Sequence, residues 1–200
     1  VLSISVVGCS STKNKEDDKK IVVGCNLVPG EALLNEIKPL IEKEGYELEI
    51  KVFNDYVLPN TALNDGELDA NLFQHKPFLD KTNEEKGYDL VAVEALYGCP
   101  ITLYSEKRDS LEALQDGDTI ALTNDPSNES RSLRLLEKAG LIKLKEGELV
   151  TPKDITENPK NLKFIEAEAS LLPSILKDVE AAFINFKFLG FSVISFGVTS

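Results

Sequence analysis

Two hundred residues make one large domain or two small lobes, since domains usually run to about 100–150 residues. Hydrophobic residues at 42% beside charged residues at 28% supply enough apolar material for a core and exclude wholesale disorder. Lys+Arg 22 against Asp+Glu 34 leaves a net charge of −12, which repels phosphate backbones and excludes a nucleic-acid partner, while no run of about 18 apolar residues predicts a membrane-spanning helix.

The opening reads as an address rather than as part of a fold. Residues 1–8 are uncharged and mostly apolar, ending in Val6-Val7-Gly8 ahead of Cys9. Residues 10–20 are rich in Ser, Lys, Asp and Glu, bury no apolar surface and read as a solvated tether. A small residue before a cysteine, with aliphatics ahead of it, resembles the lipobox of bacterial lipoproteins. That resemblance implies a signal-peptide remnant over 1–8 and, over 9–20, a lipidated Cys9 with its tether. Each buried CH₂ of such acyl chains contributes roughly 0.8 kcal/mol, so two or three chains anchor stably. The alternative is the ragged end of a core strand with an incidental cysteine.

Residues 21–25 are a short β-branched run suited to a strand buried on both faces. A helix is predicted over 31–43, with Leu33, Leu34, Ile37, Leu40 and Ile41 on one stripe and Gly45 as its C-cap. Residues 47–53 alternate strictly, which predicts a half-exposed strand near a sheet edge. A short helix over 57–65, a strand over 68–73, a helix from Pro77 to Gly87 and strands over 90–96 and 101–104 follow. A second series begins after Ser105. It comprises a strand over 119–123, a helix over 127–139 stopped by Gly140, a strand over 162–167, a helix over 170–177 and a strand over 181–185. Strands alternating with helices argue for parallel α/β sheets covered on both faces. Two series joined near Tyr104 predict lobes over 21–104 and 105–185. Residues 188–200 carry no charge and no periodic pattern. They read as a buried strand pair or as a shifted reading frame, and 186–200 is taken as an aberrant or truncated tail.

The single histidine, His75, limits imidazole chemistry to one position. Cys25, His75 and Cys99 could supply a thiolate–imidazole pair or zinc ligands, but no CxxC or HxxxH occurs, and buried structural cysteines are the commoner outcome. A Cys25–Cys99 disulfide stays open. Neither a P-loop nor GxGxxG is found. The ends of the strands are more informative, because open α/β sheets bind ligands beyond the carboxyl ends of their strands. Asn54-Asp55-Tyr56, Gln74-His75-Lys76-Pro77-Phe78, Asn124-Asp125-Pro126 and Asn185 stand there. Arg131, in the first turns of its helix, offers a fork of donors for a carboxylate. The Tyr56, Phe73 and Phe78 rings suit an apolar or thioether side chain. Alternatively, the rings are core and Arg131 is a solvated helix charge.

Residues 53–80 (FNDYVLPNTALNDGELDANLFQHKPFLD), 120–144 (IALTNDPSNESRSLRLLEKAGLIKL) and 151–164 (TPKDITENPKNLKF) together resemble the NlpA/MetQ family of lipoproteins, methionine-binding subunits of ABC importers. The resemblance runs from about residue 21 to 185. It implies an α/β, two-lobed periplasmic-binding-protein (type 2) fold. By the same resemblance, Tyr56 and Phe73 match the family's aromatic wall, His75 its pocket histidine, and Phe78 a position where Tyr is usual. The NDPxNxxR motif falls on Asn124, Asp125, Pro126, Asn128 and Arg131, with Arg131 as the ligand-carboxylate partner, and Asn185 matches an asparagine at the ligand's polar end. Two departures stand out. The usual VxPMxLYS region carries Cys99 and Ile101, and the family's later return to the first lobe, with a further asparagine in PYxN, has no counterpart, so the C-terminal part of the first lobe is expected to be missing. The implied function is a lipid-anchored solute-binding protein on the extracytoplasmic face of the cell membrane. It would deliver methionine, D-methionine or a methionine-containing dipeptide to an ABC permease with its ATPase, with no cofactor, no metal and no catalysis. The alternative is a surface lipoprotein or adhesin with a vestigial pocket.

Overall fold

The computed structural model describes residues 19–98 and 100–185. The expectations at Cys9, at Cys99 and over 186–200 therefore lie outside the described residues.

The first sheet is built from β1 (Lys20–Asn26), β2 (Glu47–Phe53) and β3 (Ala70–Leu72), all parallel, in the order β2-β1-β3. The buried β-branched run forms its centre and the alternating run its edge, as their patterns predict. Helices α1 (Ala32–Lys43), α2 (Leu58–Asn64) and α3 (Lys76–Lys86) connect and follow the strands. Val23, Cys25, Leu34 and Leu48 form the core here. Gly24 is required by crowding: a Cβ there would stand 2.5 Å from Leu68 Cδ1 and 3.0 Å from Phe53 Cε2.

Two expectations fail in this half. The stripe on α1 is only partly used: Leu34 is buried and Ile41 packs on the core, but Leu33, Ile37 and Leu40 are exposed. Residues 90–96 form no strand. Asn83 fastens the start of the segment through the Leu90 carbonyl at 2.8 Å and the Leu90 N–H at 3.3 Å, but Val91 and Val93 then stand 81% and 91% exposed. A β-branched run becomes a strand only beside a ladder partner, and none of the described residues lies there to supply one.

The second half contains β4 (Ile101–Tyr104), β5 (Thr119–Thr123), α4 (Pro126–Lys138), β6 (Lys143–Leu144), β7 (Ile155–Glu157), β8 (Lys163–Ala167), α5 (Leu172–Ile175) and β9 (Ala181–Asn185). Its main sheet runs β4-β9-β5-β8, with β5 parallel to β8 and β9, and β4 antiparallel to β9. The join between the sheets thus precedes residue 101, not Tyr104. Four apolar residues read as a strand from sequence, but only the pairing partner says to which sheet they belong. Ile120, Leu122 and Phe183 pack on Leu133 and Leu136 of α4, while Ala121, Ala182 and Ile184 face Leu172 and Leu176. Both faces are covered, each fully buried Leu or Ile contributing about 1.5–3 kcal/mol. At one end of this sheet, Arg108 clamps Asp118 through Nε and Nη2, both at 2.7 Å, and holds its carboxyl below the usual range. The opposite end, where β5 and β9 finish, faces the end of β3.

Candidate functional site

The chain leaving β3 buries Phe73 and then turns into α3, with His75 as an extended N-cap residue and Pro77 in the first turn. The His75 carbonyl accepts from the N–H groups of Phe78 at 3.1 Å and Leu79 at 3.2 Å, which brings the Phe78 ring back towards Phe73. Tyr56, from the loop after β2, completes a mutual cluster. Its ring centroid lies 6.0 Å from Phe73 and 6.2 Å from Phe78, and the two phenylalanines are 5.9 Å apart in an edge contact. The His75 ring sits 6.4 Å from Phe78.

The polar side comes from the second sheet. Asp125 caps α4, its Oδ1 accepting from the Asn128 N–H at 2.9 Å, Ser127 Oγ at 2.8 Å and Asn128 Nδ2 at 3.0 Å. Asn128, so held, presents Oδ1 to Asn185 Nδ2 at 3.1 Å. The other end of that amide, Asn185 Oδ1, is buried and has no hydrogen-bond partner among the described residues. A buried acceptor left unpaired costs about 1–3 kcal/mol, so the arrangement is set for a donor.

Tyr56, Phe73, His75 and Phe78 from the first half meet Asn128 and Asn185 from the second at one cleft of about 260 Å³, with Gln74 also on its wall. Arg131 stands one helical turn beyond Asn128 and is not among the residues lining that cleft. Its charge nonetheless reaches His75: burial first, then Arg131, holds the imidazole below its ordinary value, so it is neutral at pH 7. A second cavity of about 550 Å³ adjoins on the far side of the Tyr56 and Phe78 rings, between α3 and the start of α4. Gln74 was legible only as a residue following a strand; nothing in its type or spacing singled it out as part of the wall.

At Cys25 the cysteine alternative loses its reagent. Cys25 is fully buried in the first core, and burial, helped by the Glu31 charge, pushes its thiol up to about 11. It carries no thiolate at neutral pH. Among the described residues, no three His, Cys, Asp or Glu side chains gather as a metal site requires.

The family model for NlpA lipoproteins matches residues 21–193. The D-methionine-binding lipoprotein MetQ of Escherichia coli K12 is 48% identical over 184 residues, which span 90% of this chain and 67% of that protein. A nutrient binding protein from Burkholderia cenocepacia, solved bound to methionine, superposes with a TM-score of 0.79 at 44% identity, over 84% of this chain and 72% of its own. Immunogenic lipoprotein A from Vibrio vulnificus gives 0.79 at 43% identity, over 82% and 73%. The architecture is accordingly the two-lobed α/β fold of the type 2 periplasmic-binding class. With a match this long and this close, the chain belongs to the NlpA lipoprotein family.

Proposed function

We propose that the chain is an extracytoplasmic solute-binding subunit that captures methionine or a close relative, the D-isomer or a methionine-containing dipeptide, and passes it to an ABC permease driven by its ATPase. Acyl chains on Cys9 would hold it at the outer face of a membrane. The observation that carries the reading is a single cleft in which a wall of three rings faces a buried, unpartnered amide oxygen. The rings of Tyr56, Phe73 and Phe78 take a thioether side chain, whose sulfur gains from aromatic contact. Arg131 takes the carboxylate with its planar fork, and Asn185 Oδ1 accepts from the amine. Because His75 is neutral, it adds no second cation to compete for the carboxylate. The relatives named for methionine point to the same ligand. No chemical step is needed: contacts to both halves favour the closed arrangement by differential affinity.

A thermal-shift panel with L-methionine, D-methionine, glycyl-methionine, glutamate and lysine tests this. A ligand at about 100 times its Kd adds about 2.7 kcal/mol, a clear rise in Tm. Arg131→Ala should abolish the methionine shift while the melt stays cooperative; full affinity in that variant would remove the carboxylate assignment. A cooperative melt unmoved by every amino acid would favour a surface lipoprotein or adhesin with a vestigial pocket.

A further inference from the structure

Gln74 lines the cleft, but most of its amide is already committed to the protein behind it. Its Nε2 donates to Asn60 Oδ1 at 2.7 Å and to Asn71 Oδ1 at 3.2 Å, and its Oε1 accepts from Asn60 Nδ2 at 2.8 Å. Asn60, on α2, is fully buried. Asn71, on β3, donates from Nδ2 to Asn60 Oδ1 at 2.9 Å and to the Pro59 carbonyl at 3.2 Å. The three amides therefore close a ring in which each orientation dictates the next. Turning the Gln74 amide over would set its NH₂ against Asn60 Nδ2 and its oxygen against two carbonyl oxygens. A side-chain amide has two donors and two acceptor lone pairs. Gln74 has spent both donors and one lone pair, so it offers a cleft occupant one acceptor and no donor.

Asn185 stands on the other side. One hydrogen of its Nδ2 goes to Asn128 Oδ1, and its buried Oδ1 has no partner among the described residues. Both residues line the cleft, from different sheets, Gln74 just past β3 and Asn185 at the end of β9.

We infer that Gln74 Oε1 and Asn185 Oδ1 together receive a ligand ammonium group, with Asn60 and Asn71 as positioning residues that keep Gln74 an acceptor only. The inference rests on the amino-acid reading given above and supplies its specificity. An ammonium carries three donors and no acceptor, so it matches two carbonyl oxygens and would be repelled by an amide NH₂. A ligand without the amine leaves Asn185 Oδ1 buried and unpaired and the second lone pair of Gln74 Oε1 unused, which is how a site built to hydrogen-bond one group rejects analogues lacking it. Because the two acceptors belong to different halves, the ammonium also ties the halves together.

The test compares Kd by calorimetry for L-methionine and for the analogue lacking only its amino group, 4-(methylthio)butanoate. The wild-type chain should prefer methionine. In Gln74→Leu, methionine should lose about tenfold or more while the analogue changes little, as expected for a hydrogen bond to a charged group. Asn60→Ala touches no ligand, yet should lower the same ratio because it frees the Gln74 amide to turn; Asn71→Ala serves where Asn60→Ala does not melt cooperatively. Equal losses for both ligands in Gln74→Leu would reduce Gln74 to a structural role and overturn the inference. Equal wild-type affinity for both ligands would overturn the ammonium site but leave a methionine-type receptor standing. Failure of the wild-type chain to bind either would overturn the amino-acid reading itself.

Discussion

Glu129 lies one residue from Asn128 and is only 6% exposed. The Glu166 carboxyl on β8 lies close by, so a proton kept on Glu129 relieves the repulsion between them. Burial first, then Glu166, with Asp125 and Asp154 adding to it, raise the Glu129 carboxyl from 4.5 to about 7. The folded chain thus keeps a proton that the unfolded chain releases. Its stabilising contribution is complete below pH 4.5, falls as the pH climbs to about 7, and changes no further above that. The loss amounts to at most about 3 kcal/mol, reduced because Glu166 reaches solvent. Melts between pH 4.5 and 8 should show the wild-type Tm falling relative to Glu129→Gln, and parallel profiles would exclude the retained proton.

At the scale of elements, α4 depends on its cap. Asp125→Ala removes the acceptor for the Asn128 N–H, Ser127 Oγ and Asn128 Nδ2. The expected cost is about 1–2 kcal/mol of stability. The methionine shift should weaken as well, since Asn128 loses the contacts that aim it at Asn185; chemical denaturation with and without ligand separates the two effects. The same segment explains what could be read in advance. β5 and α4 were legible because an Asx cap and a proline follow a β-branched run, chemistry that depends only on near neighbours. Tyr56, Phe73, His75, Phe78, Asn128 and Asn185 were reachable because strand ends mark clefts in open sheets and because the family motifs fall on them. Residues 90–96 misled because their pattern is that of a strand, whereas strand formation is decided by a distant partner. β6 and β7, of two and three residues, are too short to display any period. The half-buried ring of Asn60, Asn71 and Gln74 was hidden for a related reason: amides from a helix, a strand and a loop announce nothing until the fold brings them together.

Taken whole, the molecule leaves an apolar surface uncovered by the described residues. Leu40 of α1 is 59% exposed and Leu96 is 65% exposed, with Ile37, Val91 and Val93 also in solvent. Exposed apolar area of this kind binds hydrophobic probes. The native chain should therefore enhance the fluorescence of an apolar dye at neutral pH, before any unfolding. Ile37→Lys with Leu40→Lys should reduce that signal and leave stability within about 0.5 kcal/mol; an unchanged signal would place the dye elsewhere.

The register that sets Ile101 opposite Asn185 has a consequence of its own. Residues facing each other in an antiparallel pair lie about 5 Å apart, so the stretch from 101 to 185 begins and ends at nearly the same point. Such a stretch is a cassette, which can be lifted out or exchanged without straining the seam. Expressed alone, residues 100–185 should melt cooperatively, because both of the larger core clusters lie within them. Under the proposed function, the cassette holds Arg131 and Asn185, the groups assigned to the part every amino acid shares, while the rings assigned to the side chain remain in the host. On that reading, a change of ligand would need only a few substitutions in the host, with the grip on the common part left unaltered.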